Sequence, residues 1–200
     1  MDRHYYEYEA DGFYCYEGTY VLKNFLDITD DEELKVAERE ITSLRIAQAT
    51  IEKIDGNFDF EHLKAIHKFI FQDIYFWAGE TRNVDISKGS QFCLYQFIEP
   101  QMQMLLGELA RENYLRDYER EEFISRLAYY FGEINAIHPF REGNGRTQRL
   151  YIEYLSAYAG YQLNFMEISS EEMLEASVQS FHDRYELLEK VLERALRAEE

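Results

Sequence analysis

Proline is almost missing from this chain, with two residues in 200, Pro100 and Pro139. Proline breaks helix interiors, so its scarcity favours long uninterrupted helices. Cysteine is equally rare: Cys15 and Cys93 stand far apart with no CxxC pairing. A disulfide framework is excluded, and a reducing cytoplasm is the expected home. No apolar run approaches the roughly 18 residues of a membrane span. The opening MDRHYYEYEADGFY has no apolar h-region, so a Sec signal is not expected either, although a specialised secretion signal would leave no such trace. Positive charge is short as well. Against 39 Asp and Glu there are 21 Lys and Arg, a formal charge of −18. That balance repels nucleic acid and anionic lipid, so any basic site must be a local feature.

What is present is a globular composition, 46% apolar and 30% charged, with enough chain to bury a core. No repeat, linker or low-complexity tract divides it, so one domain over 1–200 is expected. Residues 1–30 alternate aromatic and polar (Tyr5, Tyr6, Tyr8, Phe13, Tyr14, Tyr16, Tyr20) and read as an arm laid over that domain. Thr29 or Asp30 is a plausible N-cap, with Glu32 and Glu33 in the first turn. Leu34, Ala37, Ile41, Leu44, Gln48 and Ile51 then form one helical stripe to about Lys53. Further helices are expected at 59–75, 97–113, 120–136, 146–159 and 171–197, with Gly160 as a C′ glycine. Between them, over 81–95, the period changes to two around Ser87-Lys88-Gly89-Ser90, the pattern of a short β-hairpin. Fold class is therefore all-α, a helical bundle with one hairpin.

The chemistry concentrates in residues 138–149, HPFREGNGRTQR. Pro139 stops one helix, Gly143 and Gly145 free the backbone, and Arg146 opens the next helix. A glycine-rich turn feeding a helix N-terminus is an anion site before any side chain is counted. Asn144 adds an amide donor. Arg146 and Arg149, three apart, share a helix face and suit a polyphosphate, although cations oppose the dipole at that end. Glu142 supplies a carboxylate of the kind Mg²⁺ takes beside phosphates. His138 is the side chain able to accept a proton near neutral pH. Taken singly, each has a plainer reading: a helix stop, turn glycines, arginines paired with Glu142 or Glu153. In order, they read as a phosphoryl- or nucleotidyl-transfer site. GNGRT is not a P-loop, because GxxxxGK[ST] is absent and a helix precedes it. His62 and His67, five apart, read as surface or packing residues, and Cys93 as a small half-buried one.

These twelve residues resemble the Fic family signature, His-Pro-Phe-x-[Asp/Glu]-Gly-Asn-[Gly/Lys]-Arg-x-x-Arg, at every specified position, and the helical order fits nearly the whole chain. The opening YxYEGTxVLKN…EExxxAEREITSLR is similar to stand-alone bacterial Fic toxins. The resemblance implies that His138 deprotonates a target hydroxyl and that Glu142 holds Mg²⁺ between the α- and β-phosphates of ATP. It implies an anion hole of Gly143, Asn144 and Gly145, with Arg146 and Arg149 on the β- and γ-phosphates. Phe140 would anchor the loop. Lys88 and Gly89 would lie in a flap over the nucleotide that docks the target by strand pairing. Lysine at position 145 marks the phosphorylating branch, so Gly145 implies AMP transfer.

Many Fic proteins carry an inhibitory helix, [Ser/Thr]-x-x-x-Glu-[Gly/Asn], whose Glu pairs with the second motif arginine, here Arg149. Glu precedes Gly or Asn at Glu17, Glu112 and Glu142, but Phe13, Glu108 and His138 stand four residues earlier. The pattern is thus absent, and a separate small antitoxin is expected to supply it. For such toxins the resemblance implies the ATPase subunits of DNA gyrase and topoisomerase IV as targets. The alternatives are a delivered effector acting on small GTPases and a non-catalytic binding scaffold, the latter disfavoured by an intact His138 and Glu142.

Overall fold

The architecture is that of a computed structural model, which describes residues 12–196. Tyr5, Tyr6 and Tyr8 of the expected arm, and the end of the helix expected to reach 197, lie outside the described residues. Among those described, seven α-helices follow one another: α1 (Asp31–Ile51), α2 (Phe60–Phe71), α3 (Ile98–Arg111), α4 (Arg120–Ile137), α5 (Asn144–Tyr158), α6 (Ser170–Ser180) and α7 (Glu186–Ala195). The all-α class expected from the periodicity is what forms.

Local chemistry sets most boundaries. Asp30 caps α1 through a 2.9 Å bond from Glu33 N–H to its carboxylate, and Asp59 caps α2 by accepting from His62 N–H at 2.9 Å. Ser169 and Glu172 form a reciprocal capping box before α6. Gly160, at φ 94°, ends α5 as expected: Tyr161 N–H reaches back to Ser156 O at 2.8 Å in a Schellman turn.

α4 is the central helix. Phe123, Leu127, Ala128 and Tyr130 are fully covered, and α3, α5, α6 and α7 all pack on it. α5 packs against both α2 and α4, so the start of α5, the end of α4 and the last turn of α2 converge. The described part of the N-terminal arm folds back on itself, with Lys23 N–H bonded to Tyr14 O at 2.8 Å. Tyr14 and Cys15 are buried, and the Arg141 guanidinium lies over the Tyr14 ring at 5.5 Å.

Three expectations are corrected. The stripe assigned to α1 is rotated: Leu44 and Ile51 are 73% and 85% exposed, while Glu38 and Thr42 are buried. The helix turns that polar pair inward because both side chains meet an arginine there. The single helix expected over 171–197 is two, α6 and α7, joined through a corner where Asp183 takes φ 57°. Aspartate tolerates the left-handed region, so no glycine or proline announces the break. Close packing fixes the corner: a Cβ on Gly132 of α4 would sit 2.6 Å from the Tyr185 ring and 3.1 Å from Ser180.

The third correction is the hairpin at 81–95. Its only paired bridge joins Ser87 and Gln91, with Gly89 at φ 73° between them. Backbone groups that would form a ladder go to side chains instead. Val84 O and Cys93 O accept from Arg82, and Tyr95 N–H donates to Asp85 at 2.8 Å. The segment is a looped flap rather than a pair of strands.

Candidate functional site

The loop between α4 and α5 is closed by its own residues. Pro139 forces the chain out of the helix, and His138 at the C-cap takes φ 51°, ψ 64° while its N–H still bonds Ile134 O at 3.0 Å. Phe140 plugs into the core, 1% exposed, stacked on the His67 ring at 3.9 Å. Asn144 then spans the loop: its Oδ1 accepts from Phe140 N–H and its Nδ2 donates to Phe140 O, both at 2.8 Å. Gly143, the N-cap of α5, sits at φ 82° with its α-carbon against Phe71, where a Cβ would fall 2.1 Å from the ring. The first turn of α5 leaves the main-chain N–H groups of Asn144, Gly145 and Arg146 without helical acceptors, at the positive end of the dipole.

His138 is 5% exposed and its ring stacks on Phe92 at 3.9 Å, with an interplanar angle of 15°. Its Nδ1 lies 3.1 Å from Asn135 O, an acceptor, so Nδ1 carries the hydrogen and Nε2 the lone pair. Burial pushes its pKa down to about 3 against the opposing hydrogen bond, and the nearby Arg82 and Lys88 charges push the same way. The imidazole is neutral throughout the physiological range.

Arg82 fastens the flap to this histidine. Its buried guanidinium donates to His138 O at 2.8 Å, Ile137 O at 3.2 Å, Val84 O at 2.7 Å and Cys93 O. Burial lowers its pKa to about 10, which leaves it charged at neutral pH. Four carbonyls, two from the end of α4 and two from the flap, therefore share one cation. Beyond it, Lys88 is half-buried and Gly89 exposed at the flap tip.

On the other side of the loop, Glu142 Oε1 accepts from Gly143 N–H at 2.8 Å and lies 3.6 Å from Arg146 Nη2. Burial, and then the Glu38 charge, push the Glu142 pKa up; Arg146 opposes them. Arg146 is held by Glu38 at 2.5 Å and Thr42 at 3.0 Å, over the Phe71 ring at 4.8 Å. Arg149 is different: among the described residues its guanidinium makes no hydrogen bond and no ion pair. Burial, with Arg146 beside it, lowers its pKa. Gly145 is exposed, and a Cβ there would meet Arg149 Nη1 at 3.4 Å.

The structure thus gathers His138, Glu142, Gly143, Asn144, Gly145, Arg146 and Arg149 around one loop, with Lys88 and the flap on the His138 side. It also adds residues that sequence reading missed. His67, buried completely, accepts from Gly79 N–H on Nδ1 at 2.8 Å and donates from Nε2 to Glu142 O at 3.0 Å. Its pKa is lowered to about 3 by burial, so it stays neutral. His62 is buried too, bonded to Ile54 O at 3.0 Å, so both histidines take the packing rather than the surface reading. Glu38, Thr42, Tyr75 and Arg82 were equally unmarked. The signal available for the first two was their i, i+4 spacing on α1, a polar stripe competing with a weak apolar one.

The Fic/DOC family profile matches residues 57–156, half of the chain. The chain belongs to that family. It is 41% identical over 169 residues to the probable protein adenylyltransferase y4lH of Sinorhizobium fredii, covering 84% of this chain and 86% of that one. It is also 41% identical over 179 residues to the protein adenylyltransferase VbhT of Bartonella schoenbuchensis; that alignment covers 89% of this chain but spans only 37% of VbhT's length. Among solved structures, the ADP-bound N-terminal Fic domain of a VirB-translocated Bep effector from Bartonella quintana superposes with a TM-score of 0.88 at 29% identity, covering 94% of this chain and 95% of that one.

Proposed function

We propose that this chain is a protein adenylyltransferase, moving AMP from ATP to a hydroxyl side chain of a target protein. The observation that carries the reading is the neutral His138, its Nε2 lone pair fixed by the Nδ1 bond to Asn135, beside a helix N-terminus that gathers two arginines. Its relatives at 41% identity are named for the same activity. The target oxygen attacks the α-phosphorus as its proton passes to His138 Nε2. The bond from the α-phosphorus to the bridging oxygen breaks, and diphosphate leaves. Arg146, Arg149 and the N–H groups opening α5 take the phosphate charge. Gly145 leaves the mouth of that cradle without a side chain; a Cβ there would touch Arg149 Nη1 at 3.4 Å.

Glu142 would hold Mg²⁺, which would compensate charge between the α- and β-phosphates. One carboxylate in an anion loop fits an ion that takes its other ligands from phosphate and water. Lys88 and Gly89 in the flap would cover the nucleotide, and the flap backbone would register the target segment.

The reading extends to a toxin acting on the ATPase subunit of a type II topoisomerase and restrained by a separate small antitoxin. What supports the restraint is Arg149, whose guanidinium the described residues leave without a hydrogen bond or ion pair for an incoming glutamate. Among the described residues no helix is long and apolar enough to cross a membrane.

The test is incubation of wild type and His138→Ala with α-labelled ATP, Mg²⁺ and a bacterial lysate. Gyrase- or topoisomerase-sized bands labelled only by the wild type are expected. Label confined to small GTPases of a eukaryotic lysate would replace the toxin by a delivered effector. No label in any lysate would leave a binding scaffold.

A further inference from the structure

Two carboxylates face one guanidinium beside the loop. Arg146 Nη2 lies 2.5 Å from Glu38 Oε1 and 3.6 Å from Glu142 Oε1. The imbalance is built in from outside the loop. Thr42 Oγ1 accepts from Arg146 Nη1 at 3.0 Å and draws the guanidinium toward α1. Tyr75 donates its hydroxyl to Glu38 Oε2 and so fixes the carboxylate that holds Arg146. Tyr75 is itself 1% exposed and stacked on Trp77 at 4.4 Å. On the opposite side, Glu142 Oε1 accepts from Gly143 N–H at 2.8 Å and makes the looser contact with Arg146.

We propose that Glu38 holds Arg146 off Glu142 and so keeps the Glu142 carboxylate available to a divalent cation. This rests on the reading of Glu142 as the metal carboxylate. A cation and a guanidinium compete for the same oxygen, and a close Arg146–Glu142 pair would have to break before the cation could enter. Glu142 lies just outside α5, before its N-cap Gly143, yet its Oε1 is 3.6 Å from Arg146 Nη2, so a small shift of the guanidinium would close the pair. Glu38, Thr42 and Tyr75 are the groups that keep this one open. Glu38 is a positioning residue in this scheme and touches neither metal nor nucleotide.

The experiment is calorimetric binding of the non-hydrolysable ATP analogue AMPPNP with and without Mg²⁺. The readout is the ratio of the two affinities, which reports the cation's contribution without any turnover. Glu142→Ala should bring the ratio close to unity. Glu38→Gln, which keeps shape and removes charge, should lower the ratio roughly tenfold from the wild-type value, the order of one well-placed charge pair. Tyr75→Phe and Thr42→Val should lower it in the same direction by about threefold, on the scale of one lost neutral hydrogen bond. Thermal melts identify any variant that fails to fold, and the two milder substitutions then decide. A wild-type ratio in folded Glu38→Gln and Tyr75→Phe, alongside a lost ratio in Glu142→Ala, would overturn the role of Glu38. A wild-type ratio in Glu142→Ala would instead remove the metal role of Glu142, and this proposal with it.

Discussion

The loop of residues 138–149 and the flap of 81–95 face each other across His138, and they are built on opposite principles. Asn144, His67, Phe140 and Phe71 occupy the loop from inside, each bonded or packed to a specific atom. Between its ends the flap has one bridge, Ser87 to Gln91, and an exposed glycine at its tip. Both are glycine-containing turns in the sequence. The difference comes from what lies beneath them: an aromatic floor packs under the whole loop, whereas the flap is anchored at Arg82, Ile86 and Phe92 and leaves its tip at Gly89 exposed. Under the proposed function, that division would serve a site that binds one nucleotide repeatedly and admits a segment of another protein.

Gly143 and Gly89 offer the most direct way to break the comparison, since both have positive φ. Gly143→Ala adds backbone strain to a Cβ overlapping the Phe71 ring, and we expect about 4 kcal/mol of lost stability. Urea denaturation would show it; a change within experimental error would mean that the loop has slack.

Acid probes the same rigidity. His138 and His67 both have pKa values lowered to about 3. The unfolded chain, titrating near 6.5, binds more protons below that value, so the stabilisation is present above pH 6.5 and is lost as pH falls from 6.5 toward 3. Between about pH 8 and pH 5.5 each histidine should cost roughly 1.4 kcal/mol, about 3 kcal/mol together. Denaturation midpoints across that range measure the slope. A flat profile would contradict buried neutral imidazoles.

His67→Phe keeps the ring stacked on Phe140 but strands Glu142 O and Gly79 N–H. About 2 kcal/mol should go. The acid slope should fall by half, and kcat should fall more than nucleotide affinity. An unaltered kcat at full stability would show that the Glu142 carbonyl needs no anchor. Gly89→Ala should be mildest, about 1 kcal/mol from φ alone, because a Cβ there meets nothing within 4 Å. A loss as large as that of Gly143→Ala would erase the distinction between loop and flap.

Much of this was legible in the chain itself. Asp30, Asp59, Pro139 and Gly160 act on their immediate neighbours, so the helix ends near them were readable. The loop was readable because its chemistry is contiguous. What stayed hidden acts at a distance: Glu38 meets Arg146 across 108 residues, and His67 meets Glu142 across 75. Such residues are ordinary polar positions until the fold pairs them. The rotated stripe of α1 has the same origin, since a buried ion pair displaced Leu44 and Ile51 from the inward face. The corner between α6 and α7 was invisible for a different reason, Asp183 taking a conformation usually marked by glycine.

The side-chain amide of Asn144, bonded to both the N–H and the C=O of Phe140, turns residues 140–144 into a closed ring. Its entropy is surrendered once, when the chain folds, and not again when an anion arrives. Encounter with the phosphates should therefore be fast and require little rearrangement. On the proposed reading the flap lies over the nucleotide, so departure would wait on it, and residence time would be a property of Arg82 and the Ser87–Gln91 bridge. The clock of the bound state would then be set by the looser half of the site.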